Sequence, residues 1–202
     1  MKPNFLIAIL LAALALPAGA EVLSLRDLSR YLSDLKAVET NFTQVNADGS
    51  LNTGSLAIQR PGRMRFEYDP PSGALVVAGG GSLAIFDPVS NQPPEQYPLR
   101  RTPLNLILQR RVDLERSGMV LSHGGDDTAT RVVVQDPERP ELGTLEMVFS
   151  SNPVELRQWV ITDEGGEQTT VILGALEPRD GFSSFLFNIP YVIEERLGSQ
   201  GN

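Results

Sequence analysis

Between Leu25 and Val38 the apolar residues Leu25, Leu28, Leu32, Leu35 and Val38 recur at three- and four-residue spacing, with Arg26, Asp27, Arg30, Asp34 and Lys36 between them. That spacing places the apolar residues on one stripe of an amphipathic helix, predicted over 24–39. Ser24, with Asp27 three positions on, resembles a capping box in which Asp replaces Glu. After Glu39 the period falls to two. Segments 41–45, 55–60, 63–68, 74–78 and 82–86 are divided by Gly, Pro, Asn or Asp clusters, the pattern of an antiparallel meander. In the clearest of them, Arg63, Arg65 and Glu67 alternate with Met64, Phe66 and Tyr68, so one face is charged and the other apolar.

Five prolines between 87 and 103 interrupt regular structure. Thr102-Pro103 then reads as the opening of a short apolar helix through Leu104, Leu106, Ile107 and Leu108, ending at Arg110-Arg111. Strands resume at 129–135, 144–149, 154–162, 168–176 and 184–189. The prediction is one domain over 21–202, with about ten strands, one long helix and one or two short ones. Two short helices are thin cover for the apolar face of so large a sheet. The sheet must therefore close into a barrel, or its apolar face must line a cavity.

The first twenty residues are of another kind. Lys2 precedes a twelve-residue apolar run, 5–16, followed by Pro17 and Ala18-Gly19-Ala20. This is a secretory signal peptide, with cleavage expected before Glu21 and a periplasmic destination in a double-membraned envelope. The run is too short to span a bilayer, which takes about 20 residues.

Composition narrows the chemistry. The net charge of -8 makes nucleic acid a poor partner. With no Cys there is no disulfide, thiolate nucleophile, Cys-ligated zinc, iron–sulfur site or Cys-linked lipid. The single His123 excludes multi-histidine metal centres. It lies in Ser122-His123-Gly124-Gly125-Asp126-Asp127, where a hydrolase would use Ser122, His123 and an aspartate, and a metal site His123, Asp126 and Asp127. Neighbouring Ser and His do not easily form a nucleophile–base pair, and Gly-Gly-Asp-Asp is turn chemistry, so a hairpin turn is expected. Gly79-Gly80-Gly81 has no Lys or Ser/Thr in phosphate-loop register and also reads as a hairpin turn.

An ordered set of short motifs carries a family resemblance: Phe42-Thr43-Gln44, then Gly54-Ser55-Leu56, Arg60-Pro61 with Phe66, Asp87-Pro88 and Thr102-Pro103. With the leader and the amphipathic helix before it, the chain resembles the periplasmic outer-membrane lipoprotein carrier family, LolA, from Ser24 to about Leu108. The resemblance implies a mainly β fold with an α lid: an incomplete, strongly curved antiparallel β-barrel covered by short helices around an apolar cavity. It implies no catalysis and no cofactor. The cargo would be acylated lipoproteins, loaded by an inner-membrane ABC-type lipoprotein-releasing complex. Delivery would be to an outer-membrane acceptor lipoprotein or to the outer membrane directly, by a carrier acting as a monomer. The family's lid-tethering arginine falls on Arg60, with the tethered carbonyls expected near Leu32 and near Ile107 and Leu108. Its acyl-chain cavity falls on Met64 and Phe66, faced by Leu25, Leu28, Leu35 and Leu104. A carrier of another amphiphile on the same fold, or an envelope hydrolase seated on the His123 loop, are the alternatives.

Overall fold

The computed structural model describes residues 22–90 and 92–200. The expected signal peptide and its expected cleavage point before Glu21 lie outside the described residues. The chain opens with α1 (Leu25–Asp34), capped as the sequence suggests: the Asp27 N–H donates to Ser24 Oγ at 3.1 Å. Six strands follow as a meander: β1 (Ala37–Val45), β2 (Leu51–Gln59), β3 (Arg63–Tyr68), β4 (Leu75–Gly79), β5 (Ser82–Phe86) and β6 (Glu95–Pro98). A crossing segment containing α2 (Asn105–Leu108) leads to a second meander. This comprises β7 (Val120–Gly125), β8 (Ala129–Gln135), β9 (Thr144–Ser151), β10 (Val154–Thr162) and β11 (Gln168–Leu173). A two-residue β12 (Glu177–Pro178) pairs with β1, and α3 (Ile189–Gln200) ends the chain.

The two meanders join where β11 pairs with β1, making one antiparallel sheet in the order β6-β5-β4-β3-β2-β1-β11-β10-β9-β8-β7. No ladder joins the free edges β6 and β7 among the described residues, so the barrel is incomplete. The sheet nevertheless curls strongly. Strands β3 and β10 stand four ladder steps apart, about 19 Å if the sheet were flat. Yet the rings of Phe66 on β3 and Trp159 on β10 have their centroids 6.3 Å apart.

Four sequence expectations need correction. The first helix stops at Asp34, and Ala37 and Val38 belong to β1, where Val38 pairs with Ile58. The proline-rich stretch holds the short edge strand β6, with Pro98 opposite Ser82, a position where a missing N–H is tolerated. Ser122 to Gly125 form strand β7 rather than a turn, and the turn lies at Asp126-Asp127-Thr128. Residues 184–189 are not a strand: Ser184–Phe187 is a 3₁₀ turn leading into α3. Asn188 caps that helix by accepting the Tyr191 N–H at 3.1 Å. The Gly79-Gly80-Gly81 hairpin turn is present, joining β4 and β5.

This C-terminal helix gives the sheet a second apolar layer. Leu75, Val77, Ala84 and Phe86 point to the outer face of β4 and β5 and pack on Ile189 and Val192. The approach is close, since a Cβ on Gly79 would sit 2.0 Å from the Phe187 carbonyl oxygen. Gly79→Ala should therefore lower the unfolding free energy by about 1–3 kcal/mol, as overpacking does elsewhere. Denaturant titration checks this. An unchanged midpoint would mean that the 184–187 turn lifts off the sheet at no cost.

Candidate functional site

The alternation read in β3 sets the interior. Met64 and Phe66 face inward and are 1% and 5% exposed, while Arg63, Arg65 and Glu67 face outward. Across the sheet, Val132, Val134, Leu145, Met147, Phe149, Leu156 and Trp159 point into the same space. Over one end of the curl lie α1 and the crossing segment with α2. They contribute Leu28, Leu32, Leu104, Ile107 and Leu108, with Leu25 and Leu35 half-buried against them. Of the nine apolar positions expected at the tether or the cavity, seven thus lie in one buried cluster, and Leu25 and Leu35 pack half-buried against it. The third helix, on the outer face, takes no part in this cover.

Aromatic rings line the middle of that space. Phe42 meets Phe66 and Tyr68 edge-on, both at 5.1 Å, and Tyr31 of α1 meets Phe149 at 5.8 Å. The Tyr68 hydroxyl donates to Gln44 Oε1 at 2.7 Å, and burial pushes its pKa up to about 12. The Tyr31 hydroxyl accepts the Leu156 N–H at 3.0 Å, fixing α1 to β10. Burial raises the pKa of that phenol too. Both hydroxyls stay neutral, and Arg60 is the one buried charged side chain among the described residues.

Besides the Tyr31–Leu156 bond, the cover is pinned at several points, including the Leu23 N–H, which donates to Thr130 Oγ1 at 2.9 Å. The Gly62 N–H donates to the Leu108 carbonyl at 2.9 Å and the Arg60 N–H to the Lys36 carbonyl at 2.8 Å. The Arg60 guanidinium, on a residue 9% exposed, donates through Nη2 to the Gln109 carbonyl at the C-cap of α2. That carbonyl is one residue beyond Leu108, and no side-chain bond from Arg60 reaches Leu32, Ile107 or Leu108 among the described residues. Arg60 Nε and Nη1 are buried without a partner, and no carboxylate pairs with the guanidinium among the described residues. Desolvation pulls its pKa down. Arg60 is thus a buried cation held by one hydrogen bond where the cover meets the sheet.

The His123 strand offers no comparable chemistry. Adjacent residues on a strand point to opposite faces, and no hydrogen bond joins Ser122 to His123 among the described residues. His123 Nε2 bonds the Leu23 carbonyl at 2.8 Å, helping to seat the start of α1. Asp126 accepts from Thr128, the Ala129 N–H and Arg131, which hold its carboxyl well below the usual range. No group of three His, Cys, Asp or Glu could hold a metal among the described residues.

Trp159 was not anticipated from the sequence. A strict period of two along β10 would set Leu156 and Gln158 on one face. A β-bulge between Leu156 and Gln158 shifts the phase and turns Trp159 inward with Leu156. Sequence alternation could not reveal it, because a bulge leaves no fixed residue signature.

The described residues thus form a curled antiparallel sheet whose mainly apolar interior is closed by a helical cover. The family model described as "Outer membrane lipoprotein carrier protein LolA" matches residues 33–190, and the chain belongs to that family. An outer-membrane lipoprotein carrier protein of Pseudomonas syringae pv. syringae is 25% identical over 201 residues, covering 93% of this chain and 94% of its own. A protein of the same description from Methylobacillus flagellatus is 24% identical over 202 residues, covering 91% and 94%. A LolA-superfamily crystal structure from Nitrosomonas europaea aligns with a TM-score of 0.46 at 10% identity, over 84% of this chain and 100% of that one. No helix among the described residues is long and apolar enough to cross a membrane.

Proposed function

We propose that this protein is a periplasmic carrier that takes up the acyl chains of lipoproteins released from the inner membrane and delivers them to the outer membrane. The observation that carries the reading is the pairing of a mainly apolar interior with a cover whose α2 end is held by a buried arginine that is bonded through only one of its three guanidinium nitrogens. An ordinary core has no use for such a latch. An unpaired buried cation is costly, and its single bond is broken when the cover lifts. The family membership supplies the cargo class, and the leader predicted for residues 1–20 supplies the compartment. Loading would come from an ABC-type releasing complex. Delivery would be to an acceptor lipoprotein or to the outer membrane directly, with the carrier working as a monomer.

In this reading Met64, Phe66, Leu25, Leu28, Leu35 and Leu104 form the acyl-chain wall once the cover opens. Phe66→Gln should weaken binding of an apolar fluorescent probe about tenfold, since a buried phenyl contributes about 1.5–3 kcal/mol. The titration is done well below the unfolding temperature of the variant, because Phe66 also packs in the shut form. Binding equal to wild type would remove β3 from the wall. The reading itself is tested by native mass spectrometry of protein purified from an envelope extract. A bound triacylated lipoprotein is expected. A bound glycolipid or phospholipid in its place would keep the container and change the cargo.

A further inference from the structure

Four buried side-chain atoms have no hydrogen-bond partner among the described residues: Nε and Nη1 of Arg60, Oγ of the half-buried Ser151, and the indole Nε1 of Trp159, the one that belongs to a fully buried ring facing the interior. Trp159 is 0% exposed, yet its indole Nε1 has no hydrogen-bond partner among the described residues. A buried Trp N–H ordinarily finds one. The neighbouring rings show the ordinary condition: the Tyr31 hydroxyl accepts from Leu156, and that of Tyr68 donates to Gln44. The unpartnered guanidinium nitrogens of Arg60 differ in kind, because that side chain already holds the Gln109 carbonyl. The Trp159 ring stands edge-on to Phe66 across the curl, with Met147 and Val171 as its cross-strand neighbours. It sits in the wall that the carrier reading assigns to acyl chains.

A donor without an acceptor in an apolar space is a standing cost, recovered only when an acceptor arrives. Methylenes offer none. The carbonyl that joins an acyl chain to glycerol or to an amine does. We propose that the indole N–H of Trp159 donates to an ester or amide carbonyl oxygen of the bound acyl amphiphile. The interior then reads the acyl linkage as well as the chain. This inference rests on the carrier reading and adds a specificity-determining residue to it.

The test compares a diacylglycerol with its dialkyl-ether counterpart of equal chain length, using the full-length mature protein. Wild type should bind the ester about three- to tenfold more tightly than the ether, the range of one neutral hydrogen bond. In Trp159→Phe the ratio should fall to about one. The ratio is the readout because loosened packing weakens both ligands alike. A second measurement needs no variant. Trp159 is the only tryptophan in the chain. Its emission should move to longer wavelength with the ester and stay in place with the ether. An ester preference that survives Trp159→Phe, or emission that responds identically to both ligands, overturns the inference and leaves the carrier reading standing. Binding of neither compound to wild type overturns both.

Discussion

Arg60→Leu should load cargo and fail to let it go, with transfer to an acceptor slowed about ten- to hundredfold. The bond from Arg60 Nη2 to the Gln109 carbonyl exists only while α2 lies against the sheet. A hydrogen bond from a charged donor contributes about 1.5–3 kcal/mol, and that amount favours the shut, empty form over the loaded one. Leucine removes it. Leucine also replaces a guanidinium that would face alkyl chains in the loaded form, a contact that opposes retention in the wild type. Both changes act in one direction. The fold should survive, because the substitution deletes a buried cation with no carboxylate partner and puts an apolar side chain in an apolar place. Arg60→Lys should recover only part of the rate, since lysine keeps the charge but lacks the guanidinium whose Nη2 reaches the Gln109 carbonyl. The check is a transfer assay with labelled lipoprotein, alongside thermal unfolding. Wild-type transfer by the leucine variant would take the latch out of the mechanism.

The latch and the wall differ in how far the sequence reveals them. Met64 and Phe66 are legible because β3 alternates without interruption and half its residues are charged. Arg60 is legible as a position only through the family motif, and its partner is not legible, because which carbonyl a long side chain reaches depends on how α2 docks. The end of α1 is ambiguous in principle. Val38 lies three residues beyond Leu35, so it continues the helical stripe. It also serves as the first inward residue of β1, and pairing with Ile58 decides the matter. The C-terminal segment is different, because its signal was present and outweighed. Phe185, Phe187 and Ile189 alternate like a strand, but Asn188 followed by Pro190 is a cap and a first-turn proline, with Ile189, Val192 and Ile193 at helical spacing. The phase shift that turns Trp159 inward leaves no such mark. The container could thus be read in outline, whereas its cover contacts and one of its wall residues are products of tertiary packing.

Cargo should never pass through water on its way out, and its release rate should rise with acceptor concentration from a baseline close to zero. Each buried CH₂ is worth ~0.8 kcal/mol, so a chain of about fifteen methylenes would gain ~12 kcal/mol if fully covered, and three would gain ~36. Non-covalent affinities saturate near roughly 18–21 kcal/mol, so the loaded form cannot realise that sum. On the carrier reading the deficit arises at the cover. Leu28, Leu32, Ile107 and Leu108 are completely buried against the sheet, and admitting acyl chains must pull them from these contacts. The Gly62–Leu108 and Arg60–Gln109 bonds are lost with them. A carrier of this kind would therefore return part of the acyl burial energy to its own cover. It holds cargo less firmly than a permanently open apolar site would, yet far more firmly than water does. An acceptor whose interior needed no such opening would win the exchange, provided the two mouths met. Labelled lipoprotein loaded on purified protein should stay bound in plain buffer and leave only when acceptor protein or outer-membrane vesicles are added, faster as more are supplied. Rapid loss into buffer at a rate indifferent to acceptor would mark a loose amphiphile-binding protein, one whose cover gates nothing.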